Sequence, residues 1–187
     1  MRNPRPDQHL KAWARDYNET PFCFEQSSAH GRRLVAWTED DEQTRRIFYA
    51  LLDSFPQTIK VLLKICVGQN PKEKPLWSRY QAEIDRLLFV KTVQANEHYV
   101  FSDGMNQLCI KDPESDRYFA FDDHGIFFLY APLPTDVDLF RSHGFAERYA
   151  EPLYAIPHFQ HTLPNSERLE MKFLSELNLK KTTSDLE

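Results

Sequence analysis

Two short stretches of this 187-residue chain hold residue types that could do chemistry. The first is Asp122-Asp123-His124-Gly125, two carboxylates beside an imidazole, a set able to hold a metal ion or relay a proton. The second is His158-Phe159-Gln160-His161. On a helical turn its two imidazoles would reach the same side, as a metal site requires. Together they outline a metal-assisted hydrolase with His158, His161, His124 and Asp122 as ligands. Each stretch also has a plainer reading. Asp bonds its own backbone and Gly takes a positive φ, so Asp122–Gly125 suits a turn between two strands. The histidine pair follows Pro157 and reads as a proline-bounded loop, with no Cys pair near it and no H-E-x-x-H anywhere. The plainer readings are preferred.

Other chemistries find no anchor. There is no G-x-S-x-G, and Ser142 and His143 are adjacent at a helix end, so their side chains diverge. With only 5 Gly and neither a G-x-G-x-x-G nor a Walker loop, a glycine-built nucleotide cradle is excluded. No cofactor is expected.

The elements that must position these residues centre on Tyr99–Tyr130. The stretch reads as four strands, Tyr99–Ser102, Gln107–Lys111, Arg117–Phe121 and Ile126–Tyr130, joined by Asp-rich turns. Joins this tight permit only antiparallel pairing, hence a β-meander. Upstream, a stripe of Leu10, Trp13, Ala14 and Tyr17 predicts a helix from Pro6. Pro21–Gln26 and Arg33–Thr38 predict a hairpin, and Ile47, Phe48, Leu51, Leu52 and Phe55 a helix capped near Asp40. Ile59, Val61, Leu63, Ile65 and Val67 alternate through a strand over Gln57–Val67. Pro75 opens a predicted helix to Ala95 on Trp77, Tyr80, Ile84, Leu87 and Leu88. Later come a short helix to His143 with Thr135 and Asp138 at capping-box spacing, an edge strand over Leu153–Ile156, and a last helix from Asn165 or Ser166 on Leu169, Phe173, Leu174 and Leu177. The fold class expected is α+β: an antiparallel, meander-centred sheet of about five to seven strands with helices packed mainly on one face. Residues 1–178 form the expected single domain and 179–187 a polar tail.

Composition narrows the function. A net charge of −5 repels phosphate backbones and disfavours nucleic acid. No stretch has the length and apolarity of a membrane span, and no apolar run follows the basic N-terminus as a signal peptide would need. Cys23, Cys66 and Cys109 sit in apolar strands and suit buried reduced thiols, which points to a soluble cytoplasmic protein. Aromatic residues make up 13% of the chain, and in the meander Tyr118, Phe119, Phe121, Phe127, Phe128 and Tyr130 fall on both strand faces. Either both faces are buried or one is an exposed aromatic platform; the two-sided core is preferred. The expected function is a non-catalytic protein-binding module that neutralises or regulates a basic partner. Its candidate binding residues are Tyr118, Phe128 and Tyr130 on the meander, and Arg45 and Arg46 on the second helix. Self-association is compatible with this reading. Besides the hydrolase, the alternative is a small-molecule sensor with an aromatic pocket.

Overall fold

A computed structural model describes residues 21–28, 31–68, 76–149 and 162–183. Among the described residues a sheet of nine strands carries five helices. The strands are β1 (Phe22–Ser28), β2 (Gly31–Trp37), β3 (Thr58–Gly68), β4 (Leu76–Asp85), β5 (Asn106–Lys111), β6 (Tyr118–Phe121), β7 (Phe127–Tyr130), β8 (Ala146–Glu147) and β9 (Lys180–Thr182). The helices are α1 (Asp41–Asp53), α2 (Arg86–Ala95), α3 (Glu97–Ser102), α4 (Pro134–Ser142) and α5 (Ser166–Glu176). The predicted Pro6–Tyr17 helix, the Leu153–Ile156 strand and the His158/His161 pair lie outside the described residues.

The strand order is β8-β1-β2-β7-β6-β5-β3-β4-β9. The α+β class holds, but the sheet is mixed and larger than expected: β8 runs parallel to β1, with Phe22 opposite Ala146, while the other pairings are antiparallel. Among the described residues the outermost strands are only two and three residues long, and they pair with Phe22–Cys23 of β1 and Arg79–Gln81 of β4. Lys180–Thr182, expected as the start of a frayed tail, pair with Arg79–Gln81.

α1 begins where its sequence says it should. The Asp40 carboxylate accepts from the Glu42 and Gln43 amides at 2.8 and 3.0 Å, and Asp41 and Glu42 fill the first turn. At the end of α4, Gly144 takes φ 86° and turns Phe145 back onto Phe140, ring centroids 5.3 Å apart. The N-terminal cap of α4 sits two residues earlier than its predicted Thr135: the Asp136 carboxylate accepts from the Leu133 amide at 2.6 Å.

Two segments differ from expectation. Leu76–Asp85, predicted as the first half of a helix, is β4. The long edge of β3 draws it into ten register pairs, from Thr58 opposite Asp85 to Gly68 opposite Leu76. Tyr80, Ala82 and Ile84 then meet the core at a period of two, while Leu87 and Leu88, needed for the helical stripe, are exposed. The helix starts only at Arg86, where Asp85 accepts from the Leu88 amide at 3.0 Å. Tyr99–Ser102, predicted as a strand, belongs to α3. Tyr99, Val100 and Phe101 are all buried in one cluster, which consecutive residues of a strand, alternating sides, could not achieve. The meander is therefore three strands, β5-β6-β7.

All five described helices contribute to one core on one side of the sheet, here called the inner face. Phe48 lies at its centre, edge-on to Tyr49, Phe101, Phe119 and Phe121 at 5.1 to 5.9 Å. On the outer face a second cluster joins Phe22, Phe24, Val35, Trp37, Ile126 and Phe128, so the apolar core is two-sided at the β1–β2–β7 end. Cys23, Cys66 and Cys109 are buried thiols outside any disulfide, and burial pushes the Cys23 thiol up to about 11.

Candidate functional site

The register of seven strands lines up one continuous row on the outer face. Gln26 lies opposite Arg33, Arg33 opposite Tyr130, Tyr130 opposite Tyr118, Tyr118 opposite Lys111, Lys111 opposite Lys60, and Lys60 opposite Glu83. Directly opposed side chains touch, so the row is a physical strip and not a list of separate positions. Every member is half-exposed or exposed.

The centre of the strip is preorganised. The rings of Tyr118 and Tyr130 stack at 4.3 Å with 11° between planes. Arg33 donates from Nη1 to the Tyr130 hydroxyl at 2.8 Å, and from Nε and Nη2 to Gln26 Oε1 at 3.0 and 2.6 Å. Its guanidinium sits 4.6 Å from the centre of the Phe128 ring. Desolvation by burial and then the Tyr130 hydroxyl hold the Tyr118 phenol well above its usual range, so it stays a neutral donor. Few rotamers remain to be frozen in such a surface, which lowers the entropic cost of binding to it.

The structure brings together Tyr118, Phe128 and Tyr130 of the residues marked for binding. Phe128 is only 8% exposed and acts from beneath, as the platform under Arg33. Arg45 and Arg46 are elsewhere. They project from α1 in the helical layer of the opposite face, facing Glu97 at 3.9 Å and Glu42 at 4.0 Å. Arg33 and Lys111, absent from that set, became visible only through register. A signal for Arg33 did exist, since at a period of two it shares a strand face with Val35 and Trp37, and that strand pairs with the meander.

The Asp122–Gly125 corner is a turn with a charged interior. Asp122 Oδ1 accepts from the His124 and Ile126 amides at 2.9 and 2.8 Å, and Gly125 supplies φ 74°. His124 Nδ1 lies 3.2 Å from Asp122 Oδ2 and 3.3 Å from Asp123 Oδ1, and Gln107 donates to Asp123 at 2.7 Å. Desolvation pulls the imidazole pKa down, but the two carboxylates outweigh it and raise it to about 10. Hydrogen bonds and charge from His124 hold Asp123 below its usual value despite burial. The three side chains are close enough to share a cation. The nitrogen they would use already binds a proton tightly, and a metal must displace that proton. His158 and His161, the further ligands the hydrolase needs, lie outside the described residues.

A cavity of about 350 Å³ at the β4–β9 edge is lined by Lys60, Gln81, Glu83, Lys180, Lys181 and Thr182. Its lining is cationic and polar, not aromatic as the sensor reading expects. No helix among the described residues is long and apolar enough to cross a membrane. No family model, no curated protein and no solved structure matches this chain.

Proposed function

We propose that this protein is a non-catalytic protein-binding module, and that the strip from Gln26 to Glu83 is the surface it uses. The observation that carries the reading is the stacked Tyr118–Tyr130 pair tied to Arg33. Tyr and Arg are the side chains that concentrate binding energy at protein interfaces, and here they are held in one geometry before any partner arrives. The chain's net charge of −5 by itself favours a basic partner. Contact chemistry is local, however, and the strip carries Arg33 on one side of the tyrosine pair and Lys111 and Lys60 on the other. A partner docking there would set carboxylates or carbonyls against them.

The test is affinity capture from native lysate with four baits: the wild type, Tyr118→Ala, Arg33→Ala, and an Arg45→Ala/Arg46→Ala control. One protein recovered reproducibly by the wild type and the control, and lost with both strip variants, is the expected outcome. Equal recovery by all four baits would move the interface away from the strip. Repeated failure to recover any partner would end the reading.

The metal-assisted hydrolase keeps one observation in its favour, the convergence of Asp122, Asp123 and His124. Elemental analysis of purified protein decides it. A stoichiometric transition metal lost in His124→Ala would revive that reading, and its absence from metal-replete protein would remove it.

A further inference from the structure

The geometry points to the cavity at the β4–β9 corner as a binding site for a small organic diacid that also carries a hydroxyl or amino group. This goes beyond the partner reading above. The cavity shares Lys60 and Glu83 with one end of the strip and neither residue of the Tyr118–Tyr130 pair.

Register explains why a cavity forms there. Gln81 and Glu83 lie two residues apart on the outer face of β4, with Lys180 of β9 opposite Gln81 and Lys60 of β3 opposite Glu83. The chain leaving α5 joins the sheet late. Asn178 takes φ 51° and Leu179 is drawn into the inner core, so β9 begins only at Lys180. The pairing of β4 with β9 therefore stops at Gln81, while its pairing with β3 runs on through Glu83 to Asp85. The step between the two leaves about 350 Å³, within the span of about 300–1,000 Å³ that small-ligand sites occupy.

The lining selects an anion. Among the described residues it sets three ammoniums, Lys60, Lys180 and Lys181, against one carboxylate, Glu83. The chain as a whole carries −5, so the cavity reverses the sign of its surroundings. Lys60 is engaged in a further interaction and adds its charge from the wall. Lys180 and Lys181 are exposed, and their long stems let both ammoniums close on a carboxylate. Gln81 adds a directional donor. Its Oε1 is buried with no hydrogen-bond partner among the described residues, which leaves Nε2 as the polar end that side chain offers to the cavity. A half-turn of the amide would relieve the stranded oxygen, whereas an anion accepting from Nε2 favours the orientation seen.

Glu83 sets the remaining condition. A bare anion entering beside its carboxylate is repelled, but a hydroxyl or ammonium on the same molecule donates to it. Two carboxylates for the lysines and Gln81, with one donor for Glu83, are what an α-hydroxy or α-amino diacid presents.

The experiment is isothermal titration calorimetry on the full chain with L-malate against succinate and L-glutamate against glutarate, pairs that differ by the hydroxyl or the amino group. L-malate or L-glutamate should bind saturably and at least about tenfold tighter than its counterpart. Glu83→Gln should erase most of that ratio by tightening succinate and glutarate. Lys180→Ala/Lys181→Ala should weaken L-malate at least about tenfold, while the charge-matched Arg45→Ala/Arg46→Ala variant, altered on the opposite face, stays within about twofold of wild type. Circular dichroism checks that each variant is folded. Equal affinities within both pairs would overturn the assigned ligand class. Equal weakening by the two double variants would reduce the cavity to part of a general field, and no saturable heat from any of the four acids would end the proposal. Capture of a protein by the strip is read separately with the Tyr118→Ala and Arg33→Ala baits, so either reading can fail while the other stands.

Discussion

Both faces of the sheet carry a buried aromatic cluster, but the two are built by different means. On the inner face the helices bring their own aromatics. Phe48 meets four rings edge-on, and the elements it joins, α1, α3 and β6, are remote in sequence. On the outer face the strands supply the rings, and the described groups lying over them include the cations Arg33 and Arg148. The first arrangement specifies a fold. The second leaves a margin where aromatic and cationic groups remain within reach of another molecule.

The most severe way to break this contrast is Phe48→Ala. The residue is wholly buried and its neighbours cannot collapse together, so a loss of about 3–5 kcal/mol is expected in urea unfolding. Phe128→Ala, at the outer face, should cost less, on the order of 2 kcal/mol, because its ring adjoins the half-exposed margin, where strand neighbours and water can fill the space. Equal losses would erase the distinction between the faces.

Next in size is the buried ion pair at the sheet's helical side. Arg117 donates to Asp136 at 2.8 Å and to Ser54 O and Oγ at 3.1 and 2.9 Å, and lies 4.2 Å from the centre of the Phe55 ring. Arg117→Met strands the Asp136 carboxylate and should cost about 3 kcal/mol. The double variant Arg117→Met/Asp136→Leu should recover part of that loss, since neither charge is then buried alone. A double variant worse than the single one would show that Asp136 matters mainly as the acceptor of the Leu133 amide at the start of α4.

An effect visible only against pH belongs to His124. Its pKa is raised to about 10 from 6.5, so its contribution is full below pH 6.5 and fades as pH climbs through 10. The wild-type urea midpoint should therefore fall across that window faster than that of His124→Gln. Asp123 works in the opposite sense. Its pKa is depressed from 3.8, so its share is present above that value and fades as acid is added. Parallel pH profiles for wild type and His124→Gln would contradict the charged-triad description.

How much of this was legible beforehand depended on whether local chemistry or distant pairing decides a segment. The cap at Asp40, the alternation of β3 and the Gly144–Phe145 return are local, and the sequence carries each. The Asp122 turn is local too. Leu76–Asp85 was not legible, because its apolar residues fit a helix and a strand alike and the choice is made by β3. Tyr99–Ser102 misled for a related reason: β-prone residues were recruited to fill a corner of the helical layer. The strip was half legible. Tyr118 and Tyr130 stand out by composition, but that Arg33 stands opposite Tyr130 follows only from the register of β2 on β7.

The smallest expected effect on stability is also the sharpest test of what the outer face is for. Tyr118→Leu keeps apolar bulk and β-propensity while removing the stacked phenol. The pair it breaks is half-exposed, so an unfolding loss of about 0.5–1.5 kcal/mol is expected. At the margin of the outer face the same change also releases Tyr130 and loosens the Arg33 fork, so a partner using the strip should bind at least about tenfold more weakly. At the inner face stability and function would move together, as Phe48→Ala weakens the packing of the whole domain. At the strip they should separate. A Tyr118→Leu variant that loses several kcal/mol of stability and binds its partner normally would reverse the roles assigned to the two faces, and the strip would then be core.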